Sequence, residues 1–368
     1  MGDPAAAPKQ PQRPTIPFRK ASTVKRAMED QKSGSAALGD SFSWELKSKG
    51  YLGRLRIIVG GTETTATADP TASADFPWNM AKRIEVRDSS AGMLHSTIGY
   101  NNYAAEQWMT PYIGRALASV SDTRLYAAAI SAVQANNLRW SWEVPIESGT
   151  KDNLGLVPNQ NAGFKYTLTM DLSPQADLVT TPANTTWAAT FRPSMRYYTV
   201  PSKQRTDGAA QQDRPPFAGI IRQVSDQRLA IASTGSDIPI DLRRGKVIRQ
   251  LIFITRQAAA SPAGANFPRA GGITQLKIKY GDDIVLMDAL EQDLLDEAYN
   301  LYGIVPPTGV YPVTFAADAD TVVGSDFRRD LLDVREIAHL WIEGNFQTNS
   351  AKLDVVYDEL IVPRGVSI

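Results

Sequence analysis

The dominant pattern along the chain is a two-residue alternation of apolar and polar positions. Between residues 163 and 172, one side of the pattern holds Phe164, Tyr166, Leu168, Met170 and Leu172, and the other holds Lys165, Thr167, Thr169 and Asp171. A half-buried strand requires this period. The same alternation recurs at 139–144, 275–280 and 352–358, where Asp354 and Asp358 fall on the polar side. The sequence therefore predicts antiparallel sheets with one face in water.

Two further runs are apolar at nearly every position. They cover Leu55–Gly61 and Val247–Thr255, and they predict strands in the middle of a sheet. Long segments rich in Gly, Pro, Ser, Asp and Thr separate the strands, at 62–75, 150–162, 202–216 and 258–272. This spacing is typical of β-sandwiches with elaborated loops.

Helical periodicity is confined to a few insertions. Ser121 or Asp122 can cap a helix over 122–136, and the helical pattern before it, over 103–117, is interrupted by Pro111. A third helix is predicted within 288–303, where Gly303 is a suitable residue to follow its last turn.

The strand region repeats the same order of elements in its two halves. The first half contains GYLGRLRIIVGGT, AKRIEVRDSSAGML, a helical stretch, WEVPIE, FKYTLTMDL and TTWAATFRPSMRYY. The second contains GKVIRQLIFITRQA, TQLKIKYGDDIVLM, a helix, VYPVTF, EIAHLWIEGNF and AKLDVVYDELIVP. No residue-level identity accompanies the repeat, so chance similarity of two unrelated sandwiches stays open. Two comparable sandwiches, joined near residues 202–216, are the economical interpretation.

The amino-acid composition excludes several classes of function. Lys plus Arg and Asp plus Glu both number 39, and a protein that coats nucleic acid is normally far more basic. Cysteine is absent, which excludes disulfides and thiolate chemistry and suits assembly in a reducing cytoplasm. The N-terminal residues lack the apolar core of a signal peptide, and no apolar run is long enough to span a bilayer, so secretion by that route and membrane insertion are not expected.

The exception to neutrality is the N-terminal segment. Up to Met28, a single acid, Asp3, accompanies six basic residues: Lys9, Arg13, Arg19, Lys20, Lys25 and Arg26. Two interpretations stand: a solvated tail, extended or partly helical, or a cationic arm that contacts lipid or nucleic acid phosphates. The second interpretation places the contact on Arg13, Arg19, Lys20, Lys25 and Arg26.

Candidate chemistry is sparse. The two histidines, His95 and His339, lack metal-ligand spacing, and the chain contains no nucleophile elbow, phosphate-binding loop or dinucleotide fingerprint. Carboxylates at Asp282, Asp283, Glu291, Asp293 and Asp296 are better explained by a turn and by the solvent side of a helix than by a glycosidase or cation site. Among the aromatic residues, Trp140 and Trp142 are predicted in the core, whereas the exposure of Trp78, Trp108 and Trp187 is open. We predict no catalytic residue, no metal and no cofactor, and hence no enzyme.

The chain resembles the double jelly-roll major capsid proteins of tectivirus-like bacterial viruses, which are tailless and icosahedral and often enclose a membrane. The likeness is carried by FSWELKSKGYLGRLRIIVGGT and GKVIRQLIFITRQA, which look like matching opening strands, and by AKLDVVYDELIVP at the end. It implies an all-β fold of two tandem eight-stranded jelly rolls, with a basic arm over 1–40. The first jelly roll would cover 41–205 with a helical insertion at about 103–137, and the second 206–368 with a helix at about 287–302.

The resemblance also implies function and partners. Three copies would form a trimer with a pseudo-hexagonal outline that tiles the virion shell beside penton and minor capsid proteins, after assembly in the host cytoplasm. The arm would face an internal membrane or the genome. Zero net charge suits a lattice subunit, because like-charged neighbours repel. One alternative is a carbohydrate-binding or carbohydrate-active jelly-roll protein, such as a viral spike, that uses Trp108, Asp282 and Asp283. The other is a capsid protein built on a long spine helix, against which the strand-rich pattern argues.

Overall fold

The protein is described by a computed structural model. It covers residues 15–66, 70–73, 75–109, 135–147, 155–179, 182–205, 210–215, 219–231, 240–241, 246–257, 269, 271–280, 284–315, 332–335, 340–347 and 350–362. The helix predicted over 122–136 lies mostly outside these residues, as do Arg13, Asp282, Asp283 and His339.

Strands dominate the described residues. The strands are β1 Val24–Met28, β2 Lys32–Ser33, β3 Ser41–Glu45, β4 Tyr51–Thr65, β5 Ala81–Asp88, β6 Met93–Thr97, β7 Ala135–Pro145, β8 Val157–Pro158, β9 Tyr166–Leu172, β10 Thr185–Tyr198, β11 Ile221–Ala230, β12 Ile240–Asp241, β13 Val247–Arg256, β14 Ile273–Tyr280, β15 Ile284–Leu290, β16 Val310–Thr314, β17 Leu332–Asp333, β18 Leu340–Phe346 and β19 Lys352–Ile361. The helices are α1 Phe18–Ala21, α2 Gly99–Trp108 and α3 Glu291–Tyr302, with 3₁₀ turns at Trp78–Met80, Gln175–Asp177 and Pro182–Asn184.

The first half of the chain forms a sandwich of two sheets. One sheet has the order β1-β10-β4-β7, with β2 beside β10 and β8 beside β4, and the facing strands have the order β3-β9-β5-β6. The alternation predicted for β9 is confirmed, because Tyr166, Leu168, Met170 and Leu172 are buried and the residues between them are partly exposed. Trp140 and Trp142, as predicted, lie in the core between the sheets.

The second half repeats this arrangement. Its sheets have the orders β11-β19-β13-β16, with β17 beside β13, and β12-β18-β14-β15. Strand for strand these orders match those of the first half, and a helix follows β6 in one half and β15 in the other. The predicted repeat is therefore present in the topology, and the fold is all-β with two tandem jelly rolls.

The first strand of each half precedes the segments from which the repeat was predicted. Residues 24–33, assigned to the arm by sequence, form β1 and β2 and pair with β10. Strand β11 likewise begins at Ile221, before the predicted opening at residue 245. The domain boundary placed at residue 205 falls between β10, which ends at Tyr198, and β11, and its position stays a prediction.

The two sandwiches share one continuous sheet. Strand β6 of the first half pairs in parallel with β11 of the second, with His95 opposite Val224 and Ser96 opposite Ser225. This pairing produces a nine-stranded sheet that crosses the whole molecule. Helix α2 packs against it in a third apolar cluster with α3, which places a core between the sandwiches as well as within each.

The burial of strand β19 contradicts one prediction made from the sequence. Asp354 and Asp358 were placed on a face in water, but both are completely buried, as is every residue from Leu353 to Leu360. The strand is covered on one side by the second core and on the other by α2 and its neighbours. The prediction was wrong because arginines from distant strands compensate the two charges.

Helices α2 and α3 correspond to helices predicted from the sequence, but their bounds differ from the predicted ones. Helix α2 begins at Gly99, before the predicted residue 103, and it ends before Pro111. Helix α3 ends at Gly303, which takes a left-handed conformation at φ 69° as a residue without Cβ can do at no cost.

Candidate functional site

The basic segment is anchored to the first sandwich and presents its charges outward. The Phe18 ring is fully buried and packs edge-on against Tyr51, with ring centroids 5.3 Å apart. The backbone N–H of Phe18 donates to Gln212 Oε1 at 3.1 Å. The four described predicted contacts, Arg19, Lys20, Lys25 and Arg26, are all exposed.

These four residues lie on two different elements. Arg19 and Lys20 belong to α1, whereas Lys25 and Arg26 belong to β1 at the edge of a sheet, opposite Tyr197 and Arg196. The fold therefore gives Lys25 and Arg26 a strand edge as their setting, and Arg19 and Lys20 a surface turn.

A buried charge cluster joins the two sandwiches. Asp358 accepts two hydrogen bonds from Arg222, from Nε at 2.8 Å and from Nη2 at 2.9 Å, and a third from Arg249 Nη1 at 2.7 Å. The Arg222 guanidinium also donates to the carbonyl oxygens of Glu147 and Met109 in the first half. Because Arg222 spans residues from both halves, it fixes one sandwich against the other.

A second cluster lies further along the same strand. Arg256 donates to Asp354 and Asp75, each at 2.6 Å, and to Asn101 at 3.1 Å. Arg228 adds two hydrogen bonds to Asp354. Burial alone would raise the pKa of Asp354, but Arg256 and Arg228 hold that pKa below its usual value. Asp354 therefore stays charged and paired.

His95 lies at the strand pairing between the sandwiches. It is completely buried, and its Nε2 is 2.9 Å from Thr97 Oγ1. Burial, together with the charge of Arg222, lowers the pKa of His95 to about 3. The imidazole is therefore neutral at physiological pH, and this position suits packing between the sandwiches.

An acidic pair lies where α2 contacts β7. Burial and the nearby charge of Glu143 raise the pKa of Glu106 to about 8, and Glu106 Oε2 accepts a hydrogen bond from the Glu143 backbone at 3.1 Å. Glu143 is itself paired with Arg54 and Arg56. A raised carboxyl pKa can mark a general acid, but here the arginines neutralise the charge that remains on the pair.

An aromatic cavity of about 240 Å³ lies between α2 and the segment 304–307. On its wall Trp78 stacks on Tyr103 with centroids 4.2 Å apart, and the Arg269 guanidinium lies 4.7 Å from the Tyr100 ring centre. Arg269 also donates to Asp75 at 2.7 Å. The cavity therefore continues the contact between the sandwiches.

The remaining candidate aromatic and acidic residues are buried or form hydrogen bonds within the protein. Trp108 and Trp187 are buried, with 6% and 2% exposure. Glu291 accepts a hydrogen bond from Tyr311 at 2.6 Å, and Asp293 caps the first turn of α3. Asp296 accepts one from Gln292. Within the described ranges, no three acidic or histidine side chains converge as metal ligands, and no helix has the length and apolarity to cross a bilayer.

Equivalent strands in the two halves differ in exposure. Of the five residues of β6, four are buried and Met93 is partly exposed. In β15, which holds the same place in the second half, Ile284, Val285, Leu286 and Leu290 are 44–56% exposed. Strand β15 ends its sheet, and in the described part of the chain its outer edge pairs with nothing. Exposed apolar side chains along an open edge indicate a surface that another chain covers.

The sequence pattern did not predict the contacts between the two sandwiches. Their signal was the presence of charged residues within strands that lie inside a sheet: Arg222 in β11, Arg249 in β13 and Asp358 in β19. Such charges need partners when the strand is central to a sheet.

No family model and no curated protein matches the sequence. Solved structures match along nearly the whole chain. The major capsid protein of Sulfolobus turreted icosahedral virus is similar with a TM-score of 0.66 and 15% identity, over 93% of this chain and 97% of that one. VP54 of PBCV-1, fitted into a reconstruction of the virophage Sputnik, has a TM-score of 0.67 and 12% identity, over 96% and 95%. The major capsid protein P2 of bacteriophage PM2 has a TM-score of 0.52 and 10% identity, over 94% and 100%. The shared feature is the double jelly-roll fold.

Proposed function

We propose that this chain is a major capsid protein, a structural subunit that forms homotrimeric capsomers in the shell of an icosahedral virus. The observation that carries the proposal is the pair of sandwiches with identical strand order, which spans the chain as it does in the capsid proteins named above. Two equal sandwiches per copy allow three copies to approximate a hexagon, which tiles a surface.

The contacts between the sandwiches support this role. A tile must keep its shape, and here a continuous sheet, an apolar cluster and buried arginines hold the two halves together. A fixed geometry lowers the entropy lost when each copy joins the lattice. The same buried groups pack and pair with one another, which favours a structural role over catalysis.

We also propose that the basic segment meets a polyanionic surface inside the shell, a lipid membrane or the genome. Arg19 and Lys20 support this, because both are exposed on an anchored turn and the sequence places Arg13 just before them. Each cation near an anionic lipid surface contributes about 1 kcal/mol. The sequence predicted the same role for Lys25 and Arg26, but these two residues lie on β1, the end strand of its sheet.

The remaining partners follow from the same role. The chain would occupy the virion shell after assembly in the host cytoplasm, and it would contact penton and minor capsid proteins at the borders of the lattice.

The mass of the purified protein in solution tests the proposal. Light scattering coupled to size exclusion should give a mass three times that of the chain. A monomer at every concentration would contradict the proposal, as would specific binding on a glycan array that depends on Trp78, which favours the carbohydrate-binding alternative.

A further inference from the structure

Among the described residues, the pairing of β6 with β11 joins the two sandwiches, and the internal repeat predicts where an equivalent pairing can form between chains. In the first half, β6 ends one sheet and β1 ends the other. In the second half the equivalent strands are β15 and β11. Since β6 pairs with β11, one strand of each kind remains with an open edge among the described residues: β15 and β1. An edge of each kind on one molecule is the condition for a head-to-tail contact between copies.

Matching irregularities align β1 with β11. In the first half, Leu52 of β4 pairs with Tyr197 and the register shifts at Gly53. In the second half, Ile248 of β13 pairs with Glu359 and the register shifts at Arg249. Both shifts add one residue to the same strand at the same point, so β10 and β19 can be aligned residue by residue.

The alignment then extends to the edge strands. Arg196 of β10 corresponds to Asp358 of β19, and their partners are Arg26 in β1 and Val224 in β11. By the same step Ala27 corresponds to Ser225.

A second pair of irregularities aligns β6 with β15. In β6 the pairing with β5 skips Leu94, and in β15 the pairing with β14 skips Leu286. His95 therefore corresponds to Met287, because each lies directly after the skipped residue. Ser96 corresponds to Asp288 in the same way.

We infer that β15 of one copy pairs in parallel with β1 of a neighbouring copy, which repeats between chains the junction that β6 and β11 form within one. The internal register places Met287 opposite the neighbour's Arg26, and Asp288 opposite the neighbour's Ala27. The inference rests on the proposed function, which supplies the neighbouring copies. In a closed ring of three, each chain gives β15 to one neighbour and β1 to the other.

Charge favours this partner over an unrelated one. Residues 19–26 contain four basic and no acidic residues, a net charge of +4, whereas residues 288–297 contain five acidic and no basic residues, a net charge of −5. These segments lie on or beside β1 and β15 respectively. The opposite net charges of these two segments favour pairing of β15 with β1 and disfavour β15 with β15 or β1 with β1.

Apolar exposure agrees with the charges. Ile284, Val285 and Leu286 on β15 and Val24 on β1 are 44–53% exposed in the single chain. At the internal junction, Leu94 and Arg222, which correspond to Leu286 and Val24, are buried. An edge of this kind left open would invite nonspecific pairing, so an intended occupant is expected.

Disulfide trapping tests the inference, since the chain contains no cysteine. Directly opposed residues of neighbouring strands lie about 5 Å apart, a separation that a disulfide spans. Under mild oxidation, A27C/D288C should convert most of the protein to covalent trimers on a non-reducing gel. The internal counterpart, S96C/S225C, should form its disulfide within one chain and migrate as a monomer.

Two sets of control variants test the inferred register and show whether both cysteines are needed for the cross-link. The pair T23C/D288C, displaced by four residues, should give little cross-linking, and each single-cysteine variant should give no covalent trimer. Equal trapping of the displaced pair would overturn the inferred register.

Light scattering on the same samples separates this inference from the proposed function. A trimer in solution that A27C/D288C does not trap would overturn the strand pairing and leave the capsid role intact, whereas a monomer would overturn both. If the cysteine variants do not fold, hydrogen exchange of the unmodified trimer tests the pairing of β15 with β1 instead. The amides of 284–290 that face away from β14 are the informative ones. Protection of these amides equal to that of the amides of 93–97 that face β11 supports the pairing, and their rapid exchange overturns it.

Discussion

Arg222 and Asp358 form a two-point ion pair in which both side chains are completely buried, with Nε to Oδ1 at 2.8 Å and Nη2 to Oδ2 at 2.9 Å. Arg222 is on β11 and Asp358 on β19, and the same guanidinium reaches two carbonyl oxygens of the first sandwich. A buried pair of this kind adds little net stability, because desolvation offsets the attraction, but removing one partner leaves an unpaired charge. Its main effect is to fix how the two halves meet.

Replacement of Asp358 by Asn should be strongly destabilising. Arg222 and Arg249 would lose the buried carboxylate that both contact, and we expect a loss of about 3–5 kcal/mol in the free energy of unfolding. Urea denaturation measures it. The control is Asp333→Asn, which removes an exposed pair with Arg335 and should cost less than about 1 kcal/mol. Similar losses for both variants would contradict the importance of the buried cluster.

Gly61 and Gly39 should respond differently to alanine. Both have positive φ, at 122° and 83°. A Cβ at Gly61 would lie 2.0 Å from the Ala188 carbonyl oxygen, whereas a Cβ at Gly39 meets nothing within 4 Å. Gly39→Ala should therefore cost only the backbone strain, about 1–2 kcal/mol, and Gly61→Ala should cost more because β4 and β10 must separate. Thermal midpoints of the two variants test the order, and a reversal would refute it.

His95 should make the protein less stable in mild acid. Its pKa is about 3 when folded and near 6.5 when unfolded, so below pH 6.5 the unfolded chain binds the extra proton. Stability is therefore lost as pH falls from about 6.5 toward 3, and His95 should account for about 2 kcal/mol between pH 7 and pH 5. His95→Gln keeps a polar partner for Thr97 and removes that loss. Parallel pH dependence of the unfolding free energy in variant and parent would contradict the assignment.

Arg19→Gln with Lys20→Gln should weaken binding to phosphatidylserine vesicles. Two cations at about 1 kcal/mol each correspond to a roughly 30-fold loss at low salt. The matched control is Lys82→Gln with Arg139→Gln, which neutralises two exposed cations elsewhere on the first sandwich. Vesicle co-sedimentation provides the comparison, and equal binding by both double variants would refute a role for α1.

The local hydrophobic pattern predicted which strands are covered on one face, which are buried on both faces, and where α3 ends. The alternation of β9 and the continuous apolar run of β13 correspond to a half-covered strand and a fully buried one, and Gly303 ends α3 as predicted. These features depend on near neighbours in sequence, so the sequence carries them directly.

The edge strand and the contacts between sandwiches depend on distant residues. Strand β1, VKRAM, carries two charges and no alternation, and it is a strand because β10 supplies its hydrogen-bond partners. Asp354 and Asp358 suggested a face in water because a charge in an alternating strand usually meets solvent. Only the positions of Arg222 and Arg256, about 100 residues or more earlier in the chain, allow those carboxylates to be buried.

The proposed capsomer places two equal sandwiches from each of three chains around a common axis. Negative-stain images of the purified protein test it most directly. We expect class averages with a hexagonal outline that contains six similar densities, two from each of three chains. Averages that show only an isolated particle with two lobes, at every concentration at which the protein stays soluble, would contradict it.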